Sequence, residues 1–151
     1  MKSFTKALIA LFIITFLFFS CGAIIPFTTS VPNDPIIKIT GCDKVSGNLT
    51  LSDNGETIAS RANVIFWEIE AECIVEIVDI TMKQKRGNKN VFVKGDPSRL
   101  NNNSPKLKWR GRINPRLKIR EGKSKIEFYN IIWRDTDGNL HTYDPSIKIN
   151  Q

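Results

Sequence analysis

The sequence predicts an all-β domain, an antiparallel β-sandwich of immunoglobulin-like or partly open barrel form, behind an N-terminal signal or anchor helix. Two long stretches alternate apolar and polar residues with a period of two, which suits strands with one face in a core and one in water. One is Val64 to Val78, where Ile65, Trp67, Ile69, Ala71, Cys73, Val75 and Ile77 share one parity and Glu68, Glu70, Glu72 and Glu76 the other. The second is Lys106 to Ile113, where Lys106, Lys108, Arg110 and Arg112 alternate with Leu107, Trp109, Gly111 and Ile113. Turn residues recur at short intervals, and beyond the N-terminal segment no apolar pattern follows a helical period.

The elements follow in chain order. Ile36 to Thr40 is a short β-branched run, and Asn48 to Leu51 follows it. Ser52-Asp53-Asn54-Gly55 reads as a turn, because Asn-Gly between apolar stretches is a strong hairpin signal. Val64 to Val78 is long for one strand, so a bend near Ala71 to Cys73 is expected. Lys83 to Asn90 is a polar loop, Val91 to Val93 resumes a strand, and Gly95 to Pro105, with three consecutive asparagines, reads as loop. Lys125 to Trp133 is a strong strand, Asp135 to Asn139 a turn, Leu140 to Tyr143 pairs back, and Ile147 to Asn150 closes the chain. The total is seven to nine strands, in one domain from residue 36 to 151 of a 151-residue chain.

The N-terminus reads as an export signal. Lys2 and Lys6 precede an apolar run from Ala7 to Phe19 broken only by Thr15, and Ser20-Cys21-Gly22 follows. The segment Leu17 to Gly22 resembles a bacterial lipobox, with Phe18 and Phe19 standing where Leu and a small residue are commoner. The resemblance implies cleavage before Cys21 and a lipid on its sulfur, so that residues 1–20 are signal and 21–35 a lipidated tether. The rival is an uncleaved span, since Ala7 to Phe27 carries no charge and is long enough to cross a bilayer. Either reading anchors the domain outside the cytoplasm of a bacterial envelope. No acidic cluster follows Cys21, which favours a periplasm-facing location.

The whole chain carries a net charge of +7, which falls to +5 without Lys2 and Lys6. This mild basic excess favours anionic neighbours. With Cys21 lipidated, Cys42 and Cys73 remain, an even pair that in an oxidising compartment suggests a disulfide closing a loop of about 31 residues. Two buried free thiols are the alternative. Cys73 has core parity. Cys42 has the opposite parity to Ile37 and Ile39 unless Gly41 lets the chain bend. A bridge across the sandwich would staple the two sheets.

The mature chain resembles a loose group of small bacterial envelope proteins. The residues carrying the likeness are Ile65-Phe66-Trp67, Trp109-Arg110-Gly111-Arg112-Ile113 and the ending from His141 to Asn150. The likeness implies a fold and no activity. The order Cys, Trp, Cys also resembles immunoglobulin domains, though the cysteines are closer here than in that family, so only a sandwich is implied.

Candidate chemistry is sparse, and no cofactor or metal is expected. His141 is the single histidine, which excludes the usual two-histidine type 1 copper site. In the sequence it looks like an exposed strand residue with nothing nearby to activate. Asp135-x-Asp137-Gly138-Asn139 resembles the start of a calcium loop, but position 146 is Ser where the closing Glu would stand, and a plain turn accounts for it. The basic ladder Lys106, Lys108, Arg110 and Arg112, continued by Arg116, Lys118 and Arg120, is the candidate binding surface. Its expected partner is a polyanionic glycan or an envelope protein, and not nucleic acid. The competing reading is that the Glu68–Glu76 ladder neutralises it by cross-strand pairing. Two functions follow: a non-enzymatic envelope binding or structural module, or a glycan-active enzyme or accessory using Glu68 with Glu70, whose carboxylates on one strand face lie roughly 7 Å apart.

Overall fold

A computed structural model describes residues 34–83, 87, 89–100 and 108–151. Cys21, the signal segment, the tether up to residue 33, Lys85, Arg86 and Lys106 lie outside the described residues. Among those described the domain is all-β and contains no helix.

Ten strands form two sheets. They are β1 (Ile36–Cys42), β2 (Leu49–Leu51), β3 (Glu56–Ser60), β4 (Val64–Ile69), β5 (Ile74–Met82), β6 (Ser98–Arg99), β7 (Trp109–Arg112), β8 (Lys125–Asp135), β9 (Leu140–Tyr143) and β10 (Ser146–Asn150). Sheet A has the order β2-β1-β4-β7-β6, and sheet B the order β3-β10-β8-β5 with β9 also on β8. Both are mixed, which corrects the expectation of a purely antiparallel architecture. β1 runs parallel to β4 and β10 parallel to β3. Such pairs join strands that turns alone cannot bring together.

The crossovers between sheets lie where the sequence suggested local continuity. Asn54 and Gly55 take positive φ of 55° and 80°, as their types allow. They do not make a hairpin, since β2 pairs with β1 while β3 pairs with β10 in the other sheet. The reason lies in the turn's outside bonds. Asp53 Oδ1 accepts the Gly55 N–H at 3.1 Å, and the Gly55 carbonyl accepts the Ser146 N–H of β10 at 2.8 Å. The Val64 to Val78 run is likewise two strands. β4 belongs to sheet A and β5 to sheet B, and the chain changes sheet at Glu72 and Cys73, within the expected bend. β5 departs from strict alternation, with register shifts between Ile74 and Glu76 and between Ile77 and Asp79. Ile74 and Ile77 are buried, whereas Val75, expected in the core, is 46% exposed. The segment 91–93 contributes only a single bridge, Phe92 to Ile113.

Cys42 and Cys73 form a disulfide, with their Cα atoms 6.3 Å apart. The β1–β2 register shifts between Ile39 and Gly41, which turns Cys42 away from the alternation of Ile37 and Ile39. β1 lies beside β4 rather than across the core from it. The bridge therefore ties the end of β1 to the β4–β5 crossover instead of stapling the two sheet faces.

Both sheets contribute to one core. Trp67 and Trp109 stand opposite each other on β4 and β7, Trp133 and Tyr129 come from β8, and all four are buried. Gly111 is glycine because nothing larger fits: a Cβ there would lie 2.8 Å from the Phe92 ring and 3.2 Å from Trp67. A polar thread crosses the core. Trp67 Nε1–H donates to the Tyr129 hydroxyl at 3.2 Å, and Thr57 Oγ1 donates to Asp53 Oδ2 at 2.6 Å beside it. Sheet A also closes one edge of sheet B. The Trp109 indole N–H donates to the Ile77 carbonyl of β5, and the Arg99 guanidinium to that of Val78, both at 3.2 Å. Side chains thus satisfy edge carbonyls that would otherwise invite another strand.

Candidate functional site

On β7 the buried residues are Trp109 and Gly111, and Arg110 and Arg112 point outward, as their parity requires. Lys108, just before the strand, is exposed on the same side. The register with β4 then decides each cation's fate. Trp67 stands opposite Trp109, which places Glu68 beside Lys108, and the two form an ion pair of 2.7 Å. Lys38 of β1 pairs with Glu70 at 2.7 Å, and that carboxylate raises the Lys38 ammonium above its ordinary value. Arg110 instead faces Phe66, and Arg112 faces Val64. Neither partner on β4 is an acid, and neither guanidinium has an ion pair among the described residues.

The expected ladder is therefore divided. Lys108 is neutralised by a cross-strand glutamate, while Arg110 and Arg112 have no cross-strand acid. They line a cleft of about 280 Å³ with Val64, Val93 and Asp96. Asp96 is a wall of this cleft. Its Oδ2 accepts the Arg112 N–H at 2.9 Å and its Oδ1 the Ser98 hydroxyl at 3.1 Å. Outward residues two apart on a strand are roughly 7 Å apart, and guanidinium groups present forked donors to carboxylate or phosphate oxygens. Arg116, Lys118 and Arg120 are exposed beyond the strand, in the loop towards β8.

The glutamate ladder does not stay on one surface. Glu68 and Glu70 lie on sheet A, each held by its own lysine. Glu76 lies on β5 of sheet B, paired with Arg134 at 3.1 Å and Arg99 at 3.7 Å. The change of sheet at the β4–β5 crossover is the cause.

His141 is not the exposed, isolated residue that the sequence suggested. It pairs in register with Trp133 across the β8–β9 turn, and its ring stacks on that indole at 4.3 Å and 24°. Its side chain is 14% exposed, and its Nε2 lies 2.9 Å from Oδ2 of the fully buried Asp135. A carboxylate can only accept, so Nε2 carries the proton. Asp135 also accepts the N–H groups of Asp137 and Asn139 at 2.9 and 2.8 Å. These bonds, with the His141 bond foremost, outweigh desolvation and hold its carboxyl well below the usual carboxylate range. On its other flank the ring abuts Gly47, whose carbonyl accepts the Trp133 indole N–H at 3.2 Å. Lys44 reaches from the same loop to Thr136 Oγ1 and Asp137 Oδ2, at 2.6 and 2.8 Å. No hydroxyl or thiol is hydrogen-bonded to His141 among the described residues. The group is a joint between the β1–β2 loop and the β8–β9 hairpin, and Asp135 to Asn139 is a carboxylate-centred turn. Counting outward from Asp137 alone as the turn centre would have paired Trp133 with His141.

Among the described residues no three His, Cys, Asp or Glu side chains are grouped to hold a metal ion, and no helix is long and apolar enough to cross a membrane. Comparison with protein-family models gives no match, and no curated protein is significantly similar to the chain.

Proposed function

We propose that the chain is a bacterial envelope lipoprotein, anchored through Cys21 and facing the periplasm, whose β-sandwich is a non-enzymatic binding module for an anionic envelope component. The observation that carries the reading is the pair Arg110 and Arg112, exposed on an open sheet face opposite apolar Phe66 and Val64 rather than opposite acids. Unpaired guanidinium groups on a rigid strand are preorganised for an anion. The tie of Glu68 and Glu70 to separate lysines supports a module over an enzyme, because a catalytic carboxylate pair needs one member free to exchange a proton. The two mixed sheets around one core support a sandwich over an open barrel.

The test is titration of the purified full chain, in detergent, with a sulfated polysaccharide. Binding should weaken with salt, and the double change Arg110→Gln with Arg112→Gln should weaken it at least roughly tenfold, at about 1 kcal/mol or more per charged contact. Equal binding by the variant refutes the assignment. Metabolic labelling with a palmitate analogue tests the anchor separately: Cys21→Ser should lose the label, and a mutant that keeps it removes the lipoprotein reading.

A further inference from the structure

We propose that the outer face of sheet A docks on anionic phospholipid headgroups of the membrane that carries the anchor. The proposal rests on the anchored-module reading above and names the partner of its basic strand.

The first argument is where the chain enters the domain. Asp34 Oδ1 accepts the Val64 N–H at 2.8 Å, and the Pro35 carbonyl accepts the Phe66 N–H at 2.9 Å. Ile36 then begins β1 opposite Phe66, and Phe66 stands opposite Arg110. The tether therefore joins the domain in the row of residues that holds Arg110. From Cys21 to Asp34 the chain reaches at most ~45 Å. A face at the point of entry can lie against the bilayer without the tether passing around the domain.

The second argument is chemical. The face presents Ile36, 56% exposed, with half-buried Val64 and Phe66, beside the unpaired Arg110 and Arg112. Apolar side chains next to guanidinium groups suit the headgroup boundary, where the apolar groups leave water and the arginines meet phosphate. Lys38 and Lys108 lie on the same face but are bound to Glu70 and Glu68, so its excess charge comes from the two arginines, less the carboxylate of Asp96 in their cleft. Sheet B's outer face also exposes apolar side chains, Ile58, Ile126 and Phe128. There Lys148 stands in register between Ile58 and Ile126, the neighbouring row carries Glu56, and Arg134 further along β8 is paired with Glu76. That face lacks the charge complement.

The experiment uses the isotope-labelled full chain, reconstituted through its own anchor into nanodiscs. The discs contain phosphatidylcholine alone or with phosphatidylglycerol, plus a paramagnetic headgroup lipid. In phosphatidylglycerol discs, the amides of residues 36–38, 64–66 and 110–112 should relax several times faster than those of residues 58, 126 and 148. The contrast should collapse in phosphatidylcholine discs and in the Arg110→Gln, Arg112→Gln variant, since each arginine near an anionic surface adds roughly fivefold to the docked population. Both arginines are exposed, so unchanged amide shifts elsewhere will show that the variant is folded. Equal relaxation of the two faces overturns the proposal, and so does a pattern indifferent to phosphatidylglycerol. A sulfated polysaccharide that shifts the Arg110 and Arg112 amides in phosphatidylcholine discs, with no phosphatidylglycerol effect, overturns the docking but leaves the anion-binding module. No response to either probe overturns both.

Discussion

Removing the Tyr129 hydroxyl tests the polar thread through the core. Tyr129→Phe keeps a ring that packs edge-on against Trp67, with centroids 5.8 Å apart at 67°, so the change opens almost no cavity. What it removes is the acceptor of the Trp67 indole N–H and a partner of the Thr57 hydroxyl. Thr57 still donates to Asp53, whereas the Trp67 N–H is left in a fully buried position. An orphaned buried donor costs about 1–3 kcal/mol. For a domain of this size that is a fall in Tm of about 4–12 °C. Thermal unfolding of the full chain, followed by near-ultraviolet circular dichroism, measures it. The double mutant with Trp67→Phe deletes the orphan as well, so the two changes should be less than additive by about 1 kcal/mol once the loss of indole volume is subtracted. A Tyr129→Phe protein as stable as wild type, or a cycle with no coupling, would refute the reasoning. Burial also pushes the Tyr129 phenol well above the ordinary tyrosine value, so its ionisation should appear only as the protein unfolds in alkali.

Two further predictions concern the joints of the fold. The Cys42–Cys73 bridge closes a loop of 31 residues, so replacing both cysteines with serine should cost about 3–4 kcal/mol in denaturant unfolding; two reactive thiols in denatured, unreduced protein would show that no bridge had formed. Asp135 has a folded pKa depressed below its unfolded value of about 3.9, so its contribution is present above that value and lost as pH falls below it. The Tm of the wild type should therefore drop between roughly pH 4 and pH 2, and Asp135→Asn, less stable at neutral pH, should show a shallower drop; parallel slopes for the two proteins would exclude Asp135 as a source of acid lability.

Alternation in the sequence reports which face a residue occupies, and on this it served well. Trp67 and Trp109 both took the core parity read from the two ladders, and Arg110 and Arg112 took the outward one. Alternation carries no information about which strand lies alongside. For that reason Asn54-Gly55 suggested a hairpin where the chain in fact passes to the other sheet, and Val64 to Val78 looked continuous although its halves pair with different neighbours. The candidate site was half legible for the same reason. Four cations on one face could be read from their spacing, but only the Trp67–Trp109 register separates a spent Lys108 from free arginines. The Asp135–His141 contact needed the register of a single turn, which the sequence around Gly138 contains. The parallel β1–β4 and β3–β10 pairs depend on contacts distant along the chain, for which no local signal exists.

The positions of the first and last strands have a consequence for how the molecule is made. β1 is flanked by β2 and β4, and β10 by β3 and β8, so each lies inside its sheet rather than at a rim. A chain emerging N-terminus first can lay down β1, β2 and β4 early, but β3 and the first half of β8 have no common neighbour until Ser146–Asn150 arrives between them. Until those five residues emerge, sheet B is two separate pieces, with the bare strand edges that make incomplete chains stick to one another. Sheet B is therefore completed in one late step, when its final strand enters between β3 and β8.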